Sequence, residues 1–231
     1  MNTNNSSNRV SLIIEQAKAL GASLAGIASV ASLKSSPSSQ TTGLGVWPPE
    51  AKSTLVLALA HQESEPELDG WGVQGGTAGN RQLQLMSDQL KGSLAEIFEI
   101  AAQPLPYHVE KGGIFLKDAA MLAGLGIIGA NNLLITPQFG PRVRLRALFL
   151  DCELAPTGPL NFSPCDDCNQ PCWEACPQQA FVSGTYHRSS CNKQVQADRA
   201  NRVSLENEQR AGLPLIKYCR ACELTCPVGH S

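Results

Sequence analysis

The cysteines constrain this chain more than any other feature. None occurs before Cys152, and all nine fall in the last 80 of the 231 positions. Nine is an odd count, and in a chain that reads as cytoplasmic free thiols stay reduced, so metal ligation explains them better than a disulfide framework. Eight fall into a pattern. The first motif is Cys165-x2-Cys168-x3-Cys172-x3-Cys176-Pro177, the second is Cys219-x2-Cys222-x3-Cys226-Pro227, and Cys191 stands alone between them.

Two-cluster bacterial ferredoxins carry C-x2-C-x2-C-x3-C-P, in which the fourth cysteine crosses to the other cluster. The motifs here are similar but not identical. The first has an extra residue between its second and third cysteines, with Pro171 in the widened gap. In the second, Cys191 has to replace a missing local ligand. A cubane needs four thiolates around a small body, and a short loop delivers three of them. The crossing rule then assigns Cys165, Cys168, Cys172 and Cys226 to one [4Fe-4S] cluster, and Cys176, Cys191, Cys219 and Cys222 to the other. Two structural zinc sites of four thiolates each are the competing explanation, since zinc also uses C-x2-C pairs. Cys152 has no place in either scheme and reads as a small buried thiol.

Upstream of the cysteines the pattern is that of a mixed α+β domain. Val10, Ile13, Ile14, Ala17 and Leu20 share a helical face that Gly21 ends. Residues 24–30 and 53–60 read as strands, the second apolar enough to be covered on both faces. Residues 35–45 read as a surface loop, and 70–79, with five glycines, as a second loop that is either a mobile connector or a close approach to a ligand. Residues 81–100 form an amphipathic helix with Leu83, Met86, Leu90, Leu94 and Ile97 as its stripe, and 114–123 a shorter one. Strands at 133–136 and 142–150 flank a turn. In the second strand Arg142, Arg144 and Arg146 share one face, which reads as solvent-exposed or, alternatively, as contact to an anionic or amide-rich cofactor. The composition changes at Asp151: residues 151–180 hold five acidic residues, five cysteines and no Lys or Arg. The expected domains are therefore 1–150 and 151–231.

The chain resembles the epoxyqueuosine reductase and reductive dehalogenase superfamily of corrinoid iron-sulfur proteins. The likeness is carried by Ala123-Gly-Leu-Gly-Ile-Ile-Gly129, Asn131, Leu133-Leu-Ile-Thr136 and Gly140, followed by the two cysteine motifs, and it runs from about residue 53 to 227. Family members have a similar AGLG-x-x-GKN-x-LLI segment. The resemblance implies a nitroreductase-like domain holding base-off cobalamin, followed by a ferredoxin-like di-cluster domain that delivers electrons to the cobalt. It implies that Gly124, Gly126 and Gly129 let backbone approach the corrin and that Asn131 bonds corrin amides; Arg142, from the arginine face, is the further candidate contact to the cofactor. Ala130 stands where the family has lysine. Glu110 aligns with the acid of epoxyqueuosine reductases, and a buried carboxyl would suit general-acid work. Tyr107 is the alternative donor, similar to the tyrosine of reductive dehalogenases.

The formal net charge of −2 and the 16% of charged residues do not favour a nucleic-acid partner. The polar N-terminus lacks the apolar stretch of a secretory signal, and the sequence ends without the helical repeats of tRNA-acting members. The expectation is a short cytoplasmic oxidoreductase, off the membrane, fed by a ferredoxin- or flavodoxin-type donor and reducing a small molecule or a corrinoid protein. The alternatives are a non-catalytic electron carrier that docks a partner through its N-terminal domain, and an N-terminal domain that holds a flavin.

Overall fold

The N-terminal helix α1 (Thr3–Ala19) shows how closely local chemistry sets the first half of the chain. It ends where Gly21 adopts a φ of 104°, with Gly21 N–H donating to Lys18 O (2.9 Å) and Ala22 N–H to Ala17 O (3.1 Å). This pair of bonds satisfies two carbonyls of the last helical turn and reverses the chain into β1 (Leu24–Ser29).

The computed structural model describes residues 3–61, 68–69, 71–72, 76–201, 203–204 and 214–229. Two compact units emerge: Met1–Ala60 with Gln82–Ile127 and Val143–Phe162, and His61–Arg81 with Ile128–Arg142 and Ser163–Ser231. Among the described residues no helix is long and apolar enough to cross a membrane.

The first unit is an antiparallel sheet between helices. β1, β2 (Ser53–Ala60), β8 (Val143–Leu150) and β5 (Ala102–Pro104) pair in that order. β2 is a central strand, and seven of its eight residues are buried. On one face Ile27, Leu55, Leu57, Leu148 and Leu150 meet Val10, Ile13 and Ala17 of α1 and Leu83, Met86, Leu90 and Leu94 of α4 (Ala78–Phe98) in one core. Ile97 does not join that stripe and is 60% exposed. It lies in the last turn of α4, where Phe98 packs on the core instead. On the other face α5 (Leu116–Leu122) lies against the sheet through Ala119 and Ala120, with Ala123 just beyond it, all three buried. The approach is close because β1 has Gly26, where a Cβ would come within 2.3 Å of Ala123 O.

Two expectations change here. Residues 35–45 are not simply a loop: after α2 (Val30–Lys34), Pro37 starts a short helix, α3 (Pro37–Thr42), that ends on left-handed Gly43. Proline pre-sets the first helical turn and glycine releases the last, so this polar run still folds. The arginine face is not solvent-exposed either. Arg142 is 7% and Arg146 4% exposed. β8 lies inside the sheet, and Arg146 pairs with Leu57 on the side that the helices cover. Its guanidinium donates to Leu105 O at 3.4 Å, and burial lowers its pKa against the opposing charges of Tyr107 and Asp88.

The second unit is built of short pieces. The glycine-rich stretch contributes β3 (Trp71–Gly72) and β4 (Gly76–Thr77), which join β10 (Pro214–Ile216) and β9 (Val203–Ser204) in the order β4-β3-β10-β9. It is therefore sheet at its edges, while Gly70 and residues 73–75 lie outside the described residues. β6 (Ile127–Ile128) and β7 (Leu134–Ile135) form a hairpin. α6 (Pro171–Glu174), α7 (Arg188–Ala200) and α8 (Ala221–Leu224) carry or flank the cysteines.

Candidate metal centre

The two cysteine motifs fold alike. Each ends in a one-turn helix, α6 or α8, closed by matching bonds: Ala175 N–H to Pro171 O (3.0 Å) and Thr225 N–H to Ala221 O (3.1 Å). The last cysteine of each motif follows its helix, with Cys176 N–H on Trp173 O (3.2 Å) and Cys226 N–H on Glu223 O (3.3 Å). The turns α6 and α8 pack against each other. Pro171, in the widened gap of the first motif, is the first residue of α6, and Gln170 before it takes a left-handed φ of 56°.

Cys165, Cys168, Cys172 and Cys226 line one cavity, together with Ile135 and Pro227. Burial first, and then the charges of Cys226, Cys165 and Cys168, push the Cys172 thiol up to about 11. Burial also raises Cys226, against the backbone N–H of Val228 and the charge of Arg142. Two backbone donors reach sulfur in this set: Ala130 N–H to Cys165 Sγ and Gln170 N–H to Cys168 Sγ, both 3.4 Å.

Cys222 has a different set of neighbours. Burial, followed by the charges of Cys219, Cys191, Cys172 and Cys176, pushes its thiol up to about 12. Cys191 belongs to this group from α7, and side chains of α7 tie that helix to both motifs. Gln178 Nε2 donates to Gln194 Oε1 (3.0 Å), Gln194 Nε2 to Asp198 Oδ1 (2.8 Å), and Cys219 N–H to Asp198 Oδ2 (2.8 Å). Ala180 N–H donates to Cys176 Sγ at 3.3 Å. Tyr186, just ahead of α7, has its pKa raised by burial and by a hydrogen bond to the Cys191 side chain. Cys219 is the exposed member of the eight, whereas Cys172 and Cys226 are buried.

Sequence reasoning missed a charged cluster behind the second motif. Arg220 pairs with both Asp69 and Glu223. His61, 3% exposed, has Nδ1 2.8 Å from Asp69 Oδ1 and Nε2 3.6 Å from Glu223 Oε1. Arg220 and Glu223 flank Cys222 in the chain, so this network fixes the Cys219–Cys222 loop. An arginine between two C-x2-C cysteines was the available signal, but its partners Asp69 and His61 are 151 and 159 residues away in sequence.

The residues expected at a corrin make contacts of their own. A Cβ on Gly124 would meet Thr157 O at 2.7 Å, and one on Gly129 would meet Ile135 at 2.5 Å and Cys165 Sγ at 3.3 Å. Gly126 is buried. Asn131 donates to Cys222 O (3.1 Å) and accepts from Leu133 N–H (3.1 Å). Arg142 donates to Val228 O at 2.8 Å. Glu110 is exposed in a single 3-10 turn, so the burial on which its general-acid reading relied is missing, and Tyr107 is 43% exposed. Cys152 is half-buried against the core of the first unit, and burial raises its pKa. Trp47 packs on Phe149 (5.9 Å between rings), and Trp173 donates to Ala130 O (3.0 Å). The Trp71 side chain lies outside the described residues.

Fold and site together define an α+β protein with a cysteine-built candidate metal centre. The chain resembles the epoxyqueuosine reductases and their reductive dehalogenase neighbours in sequence and in fold. It is 48% identical over 64 residues to a tetrachloroethene reductive dehalogenase of Desulfitobacterium hafniense, a match covering 27% of this chain and 12% of that protein. It is 25% identical over 188 residues to the epoxyqueuosine reductase of Lactococcus garvieae, covering 77% of this chain and 52% of that one. The chain thus spans about half the length of that relative or less of the curated proteins it matches. The crystal structure of an epoxyqueuosine reductase with an epoxyqueuosine-modified tRNA-Tyr stem loop shares the fold, with a TM-score of 0.68 at 21% identity, over 97% of this chain and 66% of that one. No protein-family model matches the chain.

Proposed function

We propose that this protein is an iron-sulfur oxidoreductase that passes single electrons through two [4Fe-4S] clusters. Cys165, Cys168, Cys172 and Cys226 hold one cluster, and Cys176, Cys191, Cys219 and Cys222 the other. The observation that carries this reading is the partition of neighbours: Cys165, Cys168, Cys172 and Cys226 line one cavity, while Cys222 has Cys219 and Cys191 as its first neighbours, ahead of Cys172 and Cys176. That partition matches the crossing of ligands known from two-cluster ferredoxins.

The donor set also suits clusters better than zinc. Among the described residues no three His, Cys, Asp or Glu side chains converge tightly enough for one metal ion. Zinc would draw four sulfurs to about 2.3 Å from a single point. A four-iron cubane is a larger body, and four thiols line the first cavity. The backbone N–H groups of Ala130 and Gln170 would stabilise thiolates there, and that of Ala180 the thiolate of Cys176. When bound, the clusters would supply reversible one-electron transfer, and the protein's part is to hold eight thiolates, two of them buried, and bring the two sets side by side.

The domain before the clusters is read as nitroreductase-like and the cluster-bearing one as ferredoxin-like. A corrinoid acceptor rests on the likeness to epoxyqueuosine reductases and reductive dehalogenases, while Gly124, Gly129, Asn131 and Arg142 contact the protein's own atoms. That packing favours, as a second reading, an electron carrier that docks its partner through the first unit. A ferredoxin- or flavodoxin-type donor and a substrate other than tRNA complete the proposal, the latter supported by a net charge of −2.

Anaerobic reconstitution with iron, sulfide and hydroxocobalamin, followed by gel filtration and visible and EPR spectroscopy, tests these points together. Two interacting reduced clusters with retained corrin support the corrinoid reductase. Two clusters without corrin support the carrier. Zinc uptake with no iron overturns both.

A further inference from the structure

The charges exposed around the two cysteine motifs are opposite in sign. In the first motif Asp166 and Asp167, between Cys165 and Cys168, and Glu174, between Cys172 and Cys176, are exposed acids. Around Cys219 the sign reverses. Among the described residues of α7 and of 217–226 the exposed charges are Arg188, Lys193, Arg199 and Lys217, all basic, while Asp198, Arg220 and Glu223 are half-buried. Asp198 accepts from Cys219 N–H and from Gln194, and Arg220 pairs with Glu223 and Asp69, so those charges are engaged within the protein. Arg188 and Arg199 lie close to three full turns apart on α7 and so share one side of it. The last turn of that helix is joined to the Cys219 segment. Arg199 Nε donates to Tyr218 Oη (2.9 Å), its guanidinium lies 5.8 Å from the centre of the Tyr218 ring, and Lys217 and Cys219 flank that tyrosine. Cys219 is the exposed member of the eight thiols.

With a net charge of −2 for the whole chain, this basic face is a local feature. Basic side chains around an exposed ligand position select a partner whose own redox centre is ringed by acids, because complementary charge speeds and orients encounter more than it tightens binding. We propose that the face made by Arg188, Arg199 and Lys217 around Cys219 docks a small acidic one-electron carrier protein, which delivers its electron to the cluster held by Cys176, Cys191, Cys219 and Cys222. This inference rests on the ligand assignment above. The carrier is oxidised by one electron and the cluster reduced by one, with no bond made or broken. The exposed acids of the first motif repel the same partner, so the two clusters are not equivalent points of entry. Nucleic acid is the other polyanion that a basic face attracts, but a phosphate backbone has no use for an exposed thiol ligand within that face.

The test follows, by anaerobic stopped-flow absorbance, the reduction of the reconstituted protein by an acidic flavodoxin in its hydroquinone form, with dithionite as the check that the clusters are intact. The second-order rate constant of the wild-type protein should fall about tenfold between low and physiological salt. Arg188→Glu/Lys217→Glu should lower it about tenfold at low salt, with full iron content and full reduction by dithionite. Lys18→Glu/Lys34→Glu, which makes the same change of net charge on exposed residues of the first unit, should leave it unchanged. A rate indifferent to salt, equal rates in all three proteins, an equal fall in both variants, or a wild-type protein that dithionite reduces and flavodoxin does not, each overturns the inference and leaves the ligand assignment standing. If Arg188→Glu/Lys217→Glu loses iron, the neutral Arg188→Gln/Lys217→Gln is read in its place: a rate lowered about threefold with full iron supports the docking face, and an unmoved rate or a second loss of iron overturns it. Bulk tRNA that binds the wild-type protein but not Arg188→Glu/Lys217→Glu, with the flavodoxin rate unmoved, makes the face an RNA site and also overturns the inference. A wild-type protein that takes up no iron overturns the ligand assignment, and the inference falls with it.

Discussion

Asn131 Nδ2 donates to the carbonyl oxygen of Cys222 at 3.1 Å, joining the hairpin turn to the second cysteine motif across 91 residues. The other end of the same carboxamide accepts from Leu133 N–H, and the residue is 4% exposed. Asn131→Ala leaves both backbone groups without this partner. It should destabilise the protein by about 1–3 kcal/mol, the cost of an unsatisfied buried polar group, and loosen the Cys219–Cys222 loop. Urea unfolding of the reconstituted protein and its iron content would read the two effects.

The crossing of ligands predicts which cluster each cysteine supports. Cys226→Ala should halve the bound iron and remove the cluster built on the first motif, although Cys226 belongs to the second motif in sequence. Cys191→Ala should remove the other cluster. EPR of the reduced variants would show a single, uncoupled cluster in each case, and loss of the same cluster from both would refute the assignment.

Asp69 is 151 positions from Arg220 in sequence and is tied to the Cys219–Cys222 loop through it, since Arg220 pairs with both Asp69 and Glu223. Asp69→Asn removes a counter-charge from a partly buried guanidinium and changes a partner of His61. Loss of a charge-assisted hydrogen bond of this kind costs about 1–3 kcal/mol. The melting temperature should fall, and the second cluster should be lost to chelator before the first.

Burial and thiolate crowding push Cys172 up to about 11 and Cys222 up to about 12, above the ordinary thiol value of 9.0. The cluster-free fold therefore holds these protons more tightly than the unfolded chain does. Its stability is fully present below pH 9 and should decline as pH rises through 11 to 12. Protein carrying clusters has those thiolates bound to iron and should not show this decline. Denaturant midpoints at neutral and strongly alkaline pH, with and without reconstitution, check the difference.

Gly26 lies under α5, where an added Cβ would approach Ala123 O to 2.3 Å and Thr157 Oγ1 to 2.8 Å. Thr157 Oγ1 already links Ile27 N–H (2.8 Å) and Ala123 O (2.6 Å). Gly26→Ala should cost about 1–3 kcal/mol by overpacking, measured as a lowered urea midpoint, without changing the iron content.

Much of the first unit was legible in the residues, because its elements are specified locally. Gly21 ends α1, the apolar run 53–60 becomes β2 without a change of boundary, and the stripe of α4 meets the core except at Ile97. The arginines of β8 were misread because alternation identifies a shared face but not what covers it. That depends on where α4 returns to the sheet. The glycines at 124 and 129 were open to a ligand in principle, and only the folded chain shows Thr157, Ile135 and Cys165 in that space.

The cysteines divide along the same line. Their number, their clustering after residue 151 and the Cys-Pro ends of both motifs are properties of the sequence, since ligand spacing within a short loop is a local matter. Which thiols stand together and how Asn131 and Asp69 brace the Cys219–Cys222 loop were decided by tertiary structure. Those contacts join segments far apart in the chain, and a hydrogen bond or a charge pair acts over a few ångströms in space whatever the separation along the sequence.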